Sequence, residues 1–241
     1  MRVSRIYQDQ PLSVSADVVL SDDAAHYIAR VLRASIGDAV TLFNGDGRDY
    51  HGVIGEISKR RVVVALKSEQ ARSTEAPIRT VLGLAISKGD RFDYAVQKAT
   101  ELGVTEIAPL ISERVDVKLP ADRMAKKLGH WQAIAISACE QCERATVPLV
   151  HPPIALEQWV ANNDCTVKWV LHHEVDGSLS GDAPESIALL IGPEGGLSQA
   201  ELALAQHNGF LPLNLGPRIL RTETAPIVAL TALGLRWGDL R

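Results

Sequence analysis

The sequence predicts a two-domain protein in which a β-rich N-terminal domain is followed by a larger α/β domain. Before residue 72, short segments with β-branched residues alternate with turn-forming residues, which is typical of β-structure. From Thr80 onward, buried-strand patterns alternate with amphipathic helical segments, which is typical of an α/β domain. The polar stretch between them, 69–77, ends in proline and is the best linker. We therefore expect one domain at 1–72 and a second at 73–241.

The N-terminal domain contains three predicted strands and one helical segment. The strands are Ala39–Phe43, His51–Ile57 and Val62–Leu66, and the first two are separated by the turn-forming residues Asn44–Gly47. Ala24–Leu32 carries apolar residues at helical spacing. A small β-barrel is the expected architecture.

The α/β domain begins with a strand, a helix and a second strand, at Thr80–Ser87, Arg91–Leu102 and Glu106–Ile111. Such a unit forms a right-handed crossover between parallel strands, so a mainly parallel sheet is expected. The later predicted elements are a helix at 123–142, strands at 167–171, 187–191 and 210–215, a helix between Ser198 and Gly209, and a helix at 224–237.

Two of the later strands end abruptly in glycine and proline. Ile187–Ile191 is followed by Gly192–Gly196, and Leu215 is followed by Gly216 and Pro217. Glycine permits backbone conformations and close approaches that a Cβ would prevent, so both loops can bring main-chain groups against a ligand. The first loop matches neither the Rossmann nor the P-loop phosphate-binding pattern. The first loop alone is equally compatible with a structural turn, but open α/β sheets bind ligands at the carboxyl ends of their strands.

Composition and charge exclude several classes of protein. The net charge of −4 argues against a generally basic nucleic-acid coat, although residues 1–72 carry ten Lys/Arg against nine Asp/Glu; RNA binding would therefore use local patches. No apolar run approaches the length of a signal sequence or a membrane span, and three cysteines give no disulfide framework. A cytoplasmic protein without membrane contact is expected.

The two loops resemble motifs of a known family. Ile191-Gly-Pro-Glu-Gly-Gly196 and Leu215-Gly-Pro-Arg-Ile-Leu-Arg-Thr-Glu-Thr-Ala225 are similar to segments of the SPOUT-class RNA methyltransferases. Within that class they resemble the enzymes that methylate N3 of a uridine in 16S ribosomal RNA. The resemblance extends to 88–93, 97–103, 112–114 and 138–144, whereas Val115, Asp116 and Glu143 depart from the family's pattern outside the two loops.

The resemblance implies a fold, a cofactor and partners. The C-terminal α/β domain would be a SPOUT domain whose last segment forms a trefoil knot, and the N-terminal domain would be a PUA-like RNA-binding barrel. S-adenosylmethionine would be the cofactor, and 16S rRNA, within the small ribosomal subunit, the substrate. The resemblance further implies a homodimer without a metal, with Ile227–Trp237 as the candidate dimer surface.

The cofactor site implied by the resemblance combines the two loops with the end of an earlier strand. Its residues are Leu171, His172, Ile191, Gly192, Pro193, Glu194, Gly195, Gly196, Leu215, Gly216, Ile219, Leu220 and Thr222.

Catalysis at uridine N3 requires removal of a weakly acidic imide proton, which a carboxylate can accept. Arg221 and Glu223 are the predicted residues that position the uridine, and Glu194 is the rival candidate for the base. A surface salt-bridge set is the alternative interpretation of the same side chains.

The predicted RNA contacts are basic side chains spread over both domains. They are Arg5, Arg30, Arg33, Lys88, Arg91 and Arg114. Exposed arginines are common, so each alone says little; if several converge, binding should weaken steeply with salt.

Two further motifs are interpreted as structural. His172-His173-Glu174 lacks the spacing of a helical zinc site, so we expect a loop that lines the cofactor pocket. Cys139 and Cys142 have no second cysteine pair, so packing is the favoured interpretation.

Two alternative functions remain open from the sequence. A SPOUT methyltransferase acting on another RNA, such as the ribose of a transfer RNA, would share the cofactor loops. A non-catalytic RNA-binding protein would not need the glycines that both loops retain.

Overall fold

A computed structural model describes residues 3–58, 61–115, 121–172, 177 and 179–241. The chain divides into two compact units: one combines Met1–Glu75 with Cys139–Val147, and the other combines Ala76–Ala138 with Pro148–Arg241. Segment 139–147 thus groups with the N-terminal unit. Residues 139–142 form the end of the helix Ala121–Cys142 and residues 143–147 follow it, so no local pattern in the sequence indicated this grouping.

The N-terminal unit is built on a five-stranded sheet with the strand order β1-β3-β4-β5-β2. All pairs are antiparallel except β1 with β3. The strands are β1 (Ser4–Tyr7), β2 (Asp17–Val19), β3 (Ala39–Phe43), β4 (Arg48–Ile57) and β5 (Val62–Ala71). The three predicted strands are confirmed. The linker prediction was wrong for residues 69–71, because β5 continues to Ala71 through its pairing with Arg48 of β4.

The predicted helix at 24–32 is observed in two parts. Ser21 is the N-cap residue of α1 (Asp22–His26), and its hydroxyl accepts a hydrogen bond from the backbone N–H of Ala24. A π-helix (Tyr27–Leu32) follows directly and ends at Arg33, which has a φ of 52°. The apolar side chains Ala24, Ala25 and Ile28 enter the core of the sheet. Helical spacing of apolar residues does not distinguish an α-turn from the wider π-turn, so the sequence could not predict the change.

Segment 139–147 is bound to the N-terminal sheet by side chains. Arg5 Nη1 donates to the carbonyl oxygen of Cys139 at 2.8 Å, and the backbone N–H of Tyr7 donates to Glu140 Oε1 at 3.0 Å. Arg144 Nη2 lies 2.6 Å from Glu75 Oε2. These bonds give the segment a structural role within the unit.

The second unit contains a seven-stranded, wholly parallel sheet. The strand order is β12-β10-β11-β6-β7-β8, and β9 also pairs with β7. The strands are β6 (Arg79–Ala85), β7 (Glu106–Ile111), β8 (Leu149–Val150), β9 (Ile154–Ala155), β10 (Val167–Leu171), β11 (Ser186–Ile191) and β12 (Leu211–Leu213). The predicted parallel sheet is confirmed.

Five helices accompany the parallel sheet in the described residues. They are α2 (Arg91–Glu101), α3 (Ala121–Cys142), α4 (Leu156–Asn162), α5 (Gln199–His207) and α6 (Thr224–Trp237). The sequence predicted all except α4, which is only seven residues long and too short for a clear periodic pattern. Ser198 and Glu201 form the predicted capping box of α5. The predicted trefoil knot stays a prediction.

No helix among the described residues is long and apolar enough to cross a membrane.

Candidate active site

Five loops of the second unit leave the same edge of the parallel sheet. Strands β12, β10, β11, β6 and β7 are consecutive neighbours and all run in parallel. Their carboxyl ends therefore meet at one edge, where α/β sheets bind ligands. The sheet thereby brings together residues that are separated by more than 100 positions in the sequence, such as Arg91 and Glu194.

The first glycine-rich loop follows β11. Its turn is closed by the N–H of Gly196, which donates to the carbonyl oxygen of Pro193 at 2.9 Å. Gly196 has a φ of 68°, a conformation that favours glycine. A Cβ at Gly192 would lie 2.9 Å from Leu197 Cγ and 3.2 Å from Leu197 N. A side chain at Gly192 would therefore displace the Leu197 side chain and crowd the backbone of the loop, so glycine fits this position best.

The second loop follows β12 and leads into α6. Asn214 Oδ1 accepts the N–H of Gly216 at 2.8 Å, and Gly216 has a φ of 116°. At the other end, the N–H groups of Thr224 and Ala225 both donate to the carbonyl oxygen of Arg221 at 2.9 Å. Short local hydrogen bonds thus define both ends of the loop.

The loop after β7 supports the first glycine-rich loop. Arg114 Nη1 donates to the carbonyl oxygen of Gly195 at 2.8 Å. Glu201, whose residue is 3% exposed, accepts the N–H of Glu113 through Oε1 at 2.9 Å and the N–H of Ser198 through Oε2 at 2.7 Å. One buried carboxylate therefore ties the β7 loop to the start of α5. This role of Glu201 was missed, because its capping-box spacing explained it fully.

The loop after β6 contributes Arg91, the first residue of α2. Its Nη1 lies 2.9 Å from Glu194 Oε1, and its Nε lies 4.0 Å from Glu223 Oε1. Arg91 therefore contacts acidic side chains from both glycine-containing loops.

The five loops line a cavity of about 700 Å³, a volume within the usual range of small-molecule sites. Every predicted cofactor-site residue lines this cavity, together with Arg91, Arg114 and Arg221. The functional roles of these residues remain predictions. Arg218, which belongs with Arg221 and Glu223 to the charged set of the second loop, also lines the cavity. Lining residues that the sequence did not single out are Leu197, Gln199, Leu202, Leu213, Asn214 and Ala225. Leu197 and Asn214 directly adjoin predicted residues along the chain, so adjacency was an available signal for these two. The others come from α5, the end of β12 and the start of α6, where the sequence offered no signal.

Glu223 lies beside the cavity and is not among its lining residues. Its side chain is 18% exposed, and its buried Oε2 atom has no hydrogen-bond partner among the described residues. Glu194, in contrast, lines the cavity with a side chain that is 39% exposed.

The predicted RNA-binding side chains occupy different environments. Arg30 and Arg33 are exposed within and after the π-helix, and Lys88 is exposed before α2. The prediction for Arg5 was wrong, because its side chain is only 7% exposed and its Nη2 lies 2.8 Å from Asp49 Oδ1. The Arg5 guanidinium also lies 3.6 Å from the ring centre of Phe43. Burial and ion pairing make Arg5 a structural residue, and the sequence alone could not distinguish this from an exposed arginine.

The motifs interpreted as structural fall partly outside the described residues. His172 lines the cavity as expected, whereas His173 and Glu174 lie outside the described residues. Within the described part of the chain, no group of three or more His, Cys, Asp or Glu side chains could hold a metal ion. Neither Cys139 nor Cys142 forms a disulfide within the described residues, and a hydrogen bond with Cys142 together with burial raises the pKa of Cys139. A protonated, buried thiol suits the packing role.

Two family models match the chain. An RNA methyltransferase domain matches residues 74–234, and an RNA methyltransferase PUA domain matches residues 20–67. The matches cover the parallel sheet with its cavity and the core strands of the N-terminal unit. Fold and site therefore define an RNA methyltransferase with a PUA domain.

Relatives of known name extend this likeness over the whole chain. The ribosomal RNA small subunit methyltransferase E of Buchnera aphidicola subsp. Schizaphis graminum is 37% identical over 99% of this chain and 98% of its own. The Bacillus subtilis protein of the same name is 32% identical over 92% and 91%. This chain belongs to the ribosomal RNA small subunit methyltransferase E family.

Two solved structures have the same fold over their full length. A methyltransferase structure from Legionella pneumophila, determined with bound cofactor SAM, has a TM-score of 0.96 and 42% identity, with complete coverage of both chains. The ribosomal RNA small subunit methyltransferase E from Neisseria gonorrhoeae, bound to S-adenosyl methionine, has a TM-score of 0.93 and 37% identity, again with complete coverage of both chains.

Proposed function

We propose that this protein transfers the methyl group of S-adenosylmethionine to N3 of a uridine in 16S ribosomal RNA. The observation that carries the proposal is the 700 Å³ cavity formed by the two glycine-containing loops at the carboxyl edge of the parallel sheet. Membership of the methyltransferase family and two relatives with bound S-adenosylmethionine support it.

The cavity has the chemistry that S-adenosylmethionine needs. Leu215, Ile219 and Leu220 supply apolar surface for an adenine ring, and the first loop supplies main-chain groups that can read the edge of the base. The carboxylate of Glu194 is compatible with a sulfonium cation. The bound cofactor supplies an electrophilic methyl group, and the protein residues hold and orient it.

The acidic side chains have distinct proposed roles. Glu194 lines the cavity and is the better-placed candidate to accept the N3 proton, because a general base must reach the proton that it removes. Arg221 also lines the cavity and would position the uridine. Glu223 would orient this arrangement through its approach to Arg91. In single-turnover assays across pH, Glu194→Gln should slow methyl transfer more than Glu223→Gln; the reverse order would assign the base to Glu223.

The N-terminal unit is proposed to bind RNA. Arg30 and Arg33 are exposed on one short helical segment, where phosphate contacts would add a salt-dependent contribution. With Lys88, Arg91 and Arg114 of the second unit, they form the proposed contacts to RNA within the small ribosomal subunit. The proposed RNA-binding domain comprises residues 1–72, and the proposed catalytic domain comprises 73–241.

A homodimer is the proposed working form, and the cytoplasm its location. α6 carries apolar side chains at partly exposed positions, including Leu235, which is 59% exposed. Leu235→Glu should shift the protein toward the monomer in sedimentation velocity, whereas an unchanged mass would remove α6 from the interface. No metal is proposed, so treatment of the enzyme alone with a chelator, removed before the subunits are added, should leave methyl transfer intact.

The decisive experiment supplies labelled S-adenosylmethionine to small subunits that lack the modification, followed by nucleoside analysis. A 3-methyluridine peak that disappears with Gly195→Trp, which fills the cavity, supports both the chemistry and the site. A ribose-methylated nucleoside would identify another type of RNA methylation. Cofactor binding without incorporation into small subunits would direct the search to other RNAs.

A further inference from the structure

Arg91 is the shared cationic partner of two acidic side chains on different loops. Its guanidinium lies 2.9 Å from Glu194 and 4.0 Å from Glu223. The Arg91 side chain is 44% exposed and lines the cavity. The Arg91 side chain is therefore accessible to a substrate in the cavity.

The other cavity arginines have different environments. Arg114 donates Nη1 to the carbonyl oxygen of Gly195. Arg218 and Arg221 line the cavity, but neither makes an ion pair within the described part of the chain. Among the four cavity arginines, Arg91 is thus the one that forms an ion pair with a carboxylate within the described residues, that of Glu194.

The Arg91–Glu194 pair matches the chemistry of a uracil ring. The ring presents N3–H between the carbonyl oxygens O2 and O4, so a hydrogen-bond acceptor beside a donor is complementary to half of that edge. When N3 loses its proton, the negative charge spreads onto O2 and O4. A guanidinium bonded to one of these oxygens stabilises the anion, as charge-assisted hydrogen bonds do at developing oxyanions.

We propose that Arg91 donates a hydrogen bond to a carbonyl oxygen of the target uracil and stabilises the N3 anion. This inference rests on the proposed function. In this arrangement the N3 proton passes to the Glu194 carboxylate. The freed N3 electron pair then forms the bond to the methyl carbon. The carbon–sulfur bond breaks with its electrons retained by sulfur, so the sulfonium charge and the uracil charge cancel.

Several charged groups surround this position and bear on its pH dependence. Those that face or adjoin Arg91 are Glu194, Glu223, Lys88 and Asp90, and those that share the cavity are Arg114, His172, Arg218 and Arg221. A test must therefore separate Arg91 from its cationic neighbours.

The test measures single-turnover methylation of small subunits against pH at saturating RNA and cofactor, for wild type, Arg91→Lys and Arg91→Gln. We expect Arg91→Gln to lose about 100-fold at neutral pH, as for loss of one donor to an oxyanion. The loss should shrink as pH rises, because the variant raises the apparent pKa of N3 and alkaline solution restores the anion. Arg91→Lys should recover part of the loss. Arg218→Gln, the matched control at another cavity arginine, should leave the apparent pKa unchanged.

A second measurement uses rRNA transcribed with 5-fluorouridine and reconstituted into subunits. Fluorine makes the N3 proton more acidic, so Arg91→Gln should gain more from this substrate than wild type gains. Titration of S-adenosylmethionine should give wild-type affinity for the variant, a readout independent of turnover.

A loss in Arg91→Gln that is equal at every pH and unrelieved by 5-fluorouridine would overturn the inference and assign Arg91 to a phosphate. An unchanged rate would overturn it as well. The proposed function is tested separately by the wild-type product. If wild type forms 3-methyluridine and Arg91→Gln has a normal pH profile, the inference alone fails; if wild type forms another nucleoside, the proposed function fails.

Discussion

Glu201 Oε1 accepts a hydrogen bond from the backbone N–H of Glu113 at 2.9 Å, across 88 positions of sequence. The other oxygen of the same buried carboxylate accepts the N–H of Ser198 at 2.7 Å. Since Arg114 in turn contacts the carbonyl oxygen of Gly195, Glu201 lies at the start of a chain of contacts to the first glycine-rich loop.

Glu201→Ala is expected to lower both stability and cofactor affinity. Two backbone N–H groups would lose a charged acceptor, and each buried donor left unsatisfied costs about 1–3 kcal/mol. Urea unfolding and a titration with S-adenosylmethionine measure the two effects. Gln206, which is exposed on the same helix, provides the control: Gln206→Ala should stay within about 0.5 kcal/mol of wild type. Wild-type cofactor affinity in a destabilised Glu201→Ala would show that the contact does not position the loop.

Gly192→Ala is expected to weaken cofactor binding by about tenfold or more, corresponding to at least ~1.4 kcal/mol. The new Cβ would lie 2.9 Å from Leu197 Cγ and 3.2 Å from the Leu197 backbone nitrogen, so Leu197 must move and the loop must adjust with it. Gly195→Ala is the matched variant, because its Cβ would approach nothing closer than Arg114 Cδ at 3.6 Å. It should lose less affinity in the same titration. Equal losses would contradict the steric argument.

Arg5→Ala is expected to destabilise the N-terminal unit, whereas Arg33→Ala should weaken RNA binding. Arg5 is buried against Asp49, and removal of one partner of a buried ion pair costs about 3–5 kcal/mol. Arg72 Nε also lies 3.4 Å from Asp49 and would still partly neutralise its charge. We therefore expect a cost at the lower end of that range. Arg33 is exposed, so its loss should reduce the salt dependence of RNA affinity. Thermal unfolding and binding at several salt concentrations distinguish the two. An Arg5→Ala variant of wild-type stability would be evidence against its structural role.

Glu143→Gly is expected to be more stable than Glu143→Ala by about 1 kcal/mol, because a left-handed conformation costs a non-glycine residue about 1–2 kcal/mol. Glu143 has a φ of 67° just after α3, which explains why glycine suits this position. Both variants lose the half-exposed ion pair with Arg72, at 2.8 Å, which is worth at most about 1 kcal/mol. Urea unfolding of the pair measures the difference. Equal stability of the two variants would contradict the assigned strain.

Protonation of Glu106 should contribute to the loss of unfolding free energy at acidic pH. Burial raises the pKa of Glu106, but hydrogen bonds from His151 and Arg79 outweigh burial and bring the pKa below its ordinary value of 4.5. A lowered pKa in the folded state means that the stabilisation is present above the unfolded value and is lost as pH falls through the folded value. We therefore expect Glu106→Gln to flatten the dependence of unfolding free energy on pH below about 5. If the unfolding free energies of variant and wild type fell equally as the pH is lowered, this contribution would be excluded.

Local patterns determined most of the regular structure. β7, β10 and α6 have the predicted bounds, because each is a run with one dominant periodicity and clear ends. The π-helix and the two-residue strands β8 and β9 were not predictable, since their formation depends on neighbours from elsewhere in the chain.

The sequence by itself determined that two strands end in loops, because glycine and proline restrict the backbone locally. The resemblance to a known family added thirteen residues that all line the cavity. Only the tertiary structure decided how charged side chains pair. It buried Arg5, placed Glu223 beside the cavity and put Arg91 between Glu194 and Glu223. Ion pairs depend on distances between strands that are remote in sequence, and the order of parallel strands in a sheet sets those distances.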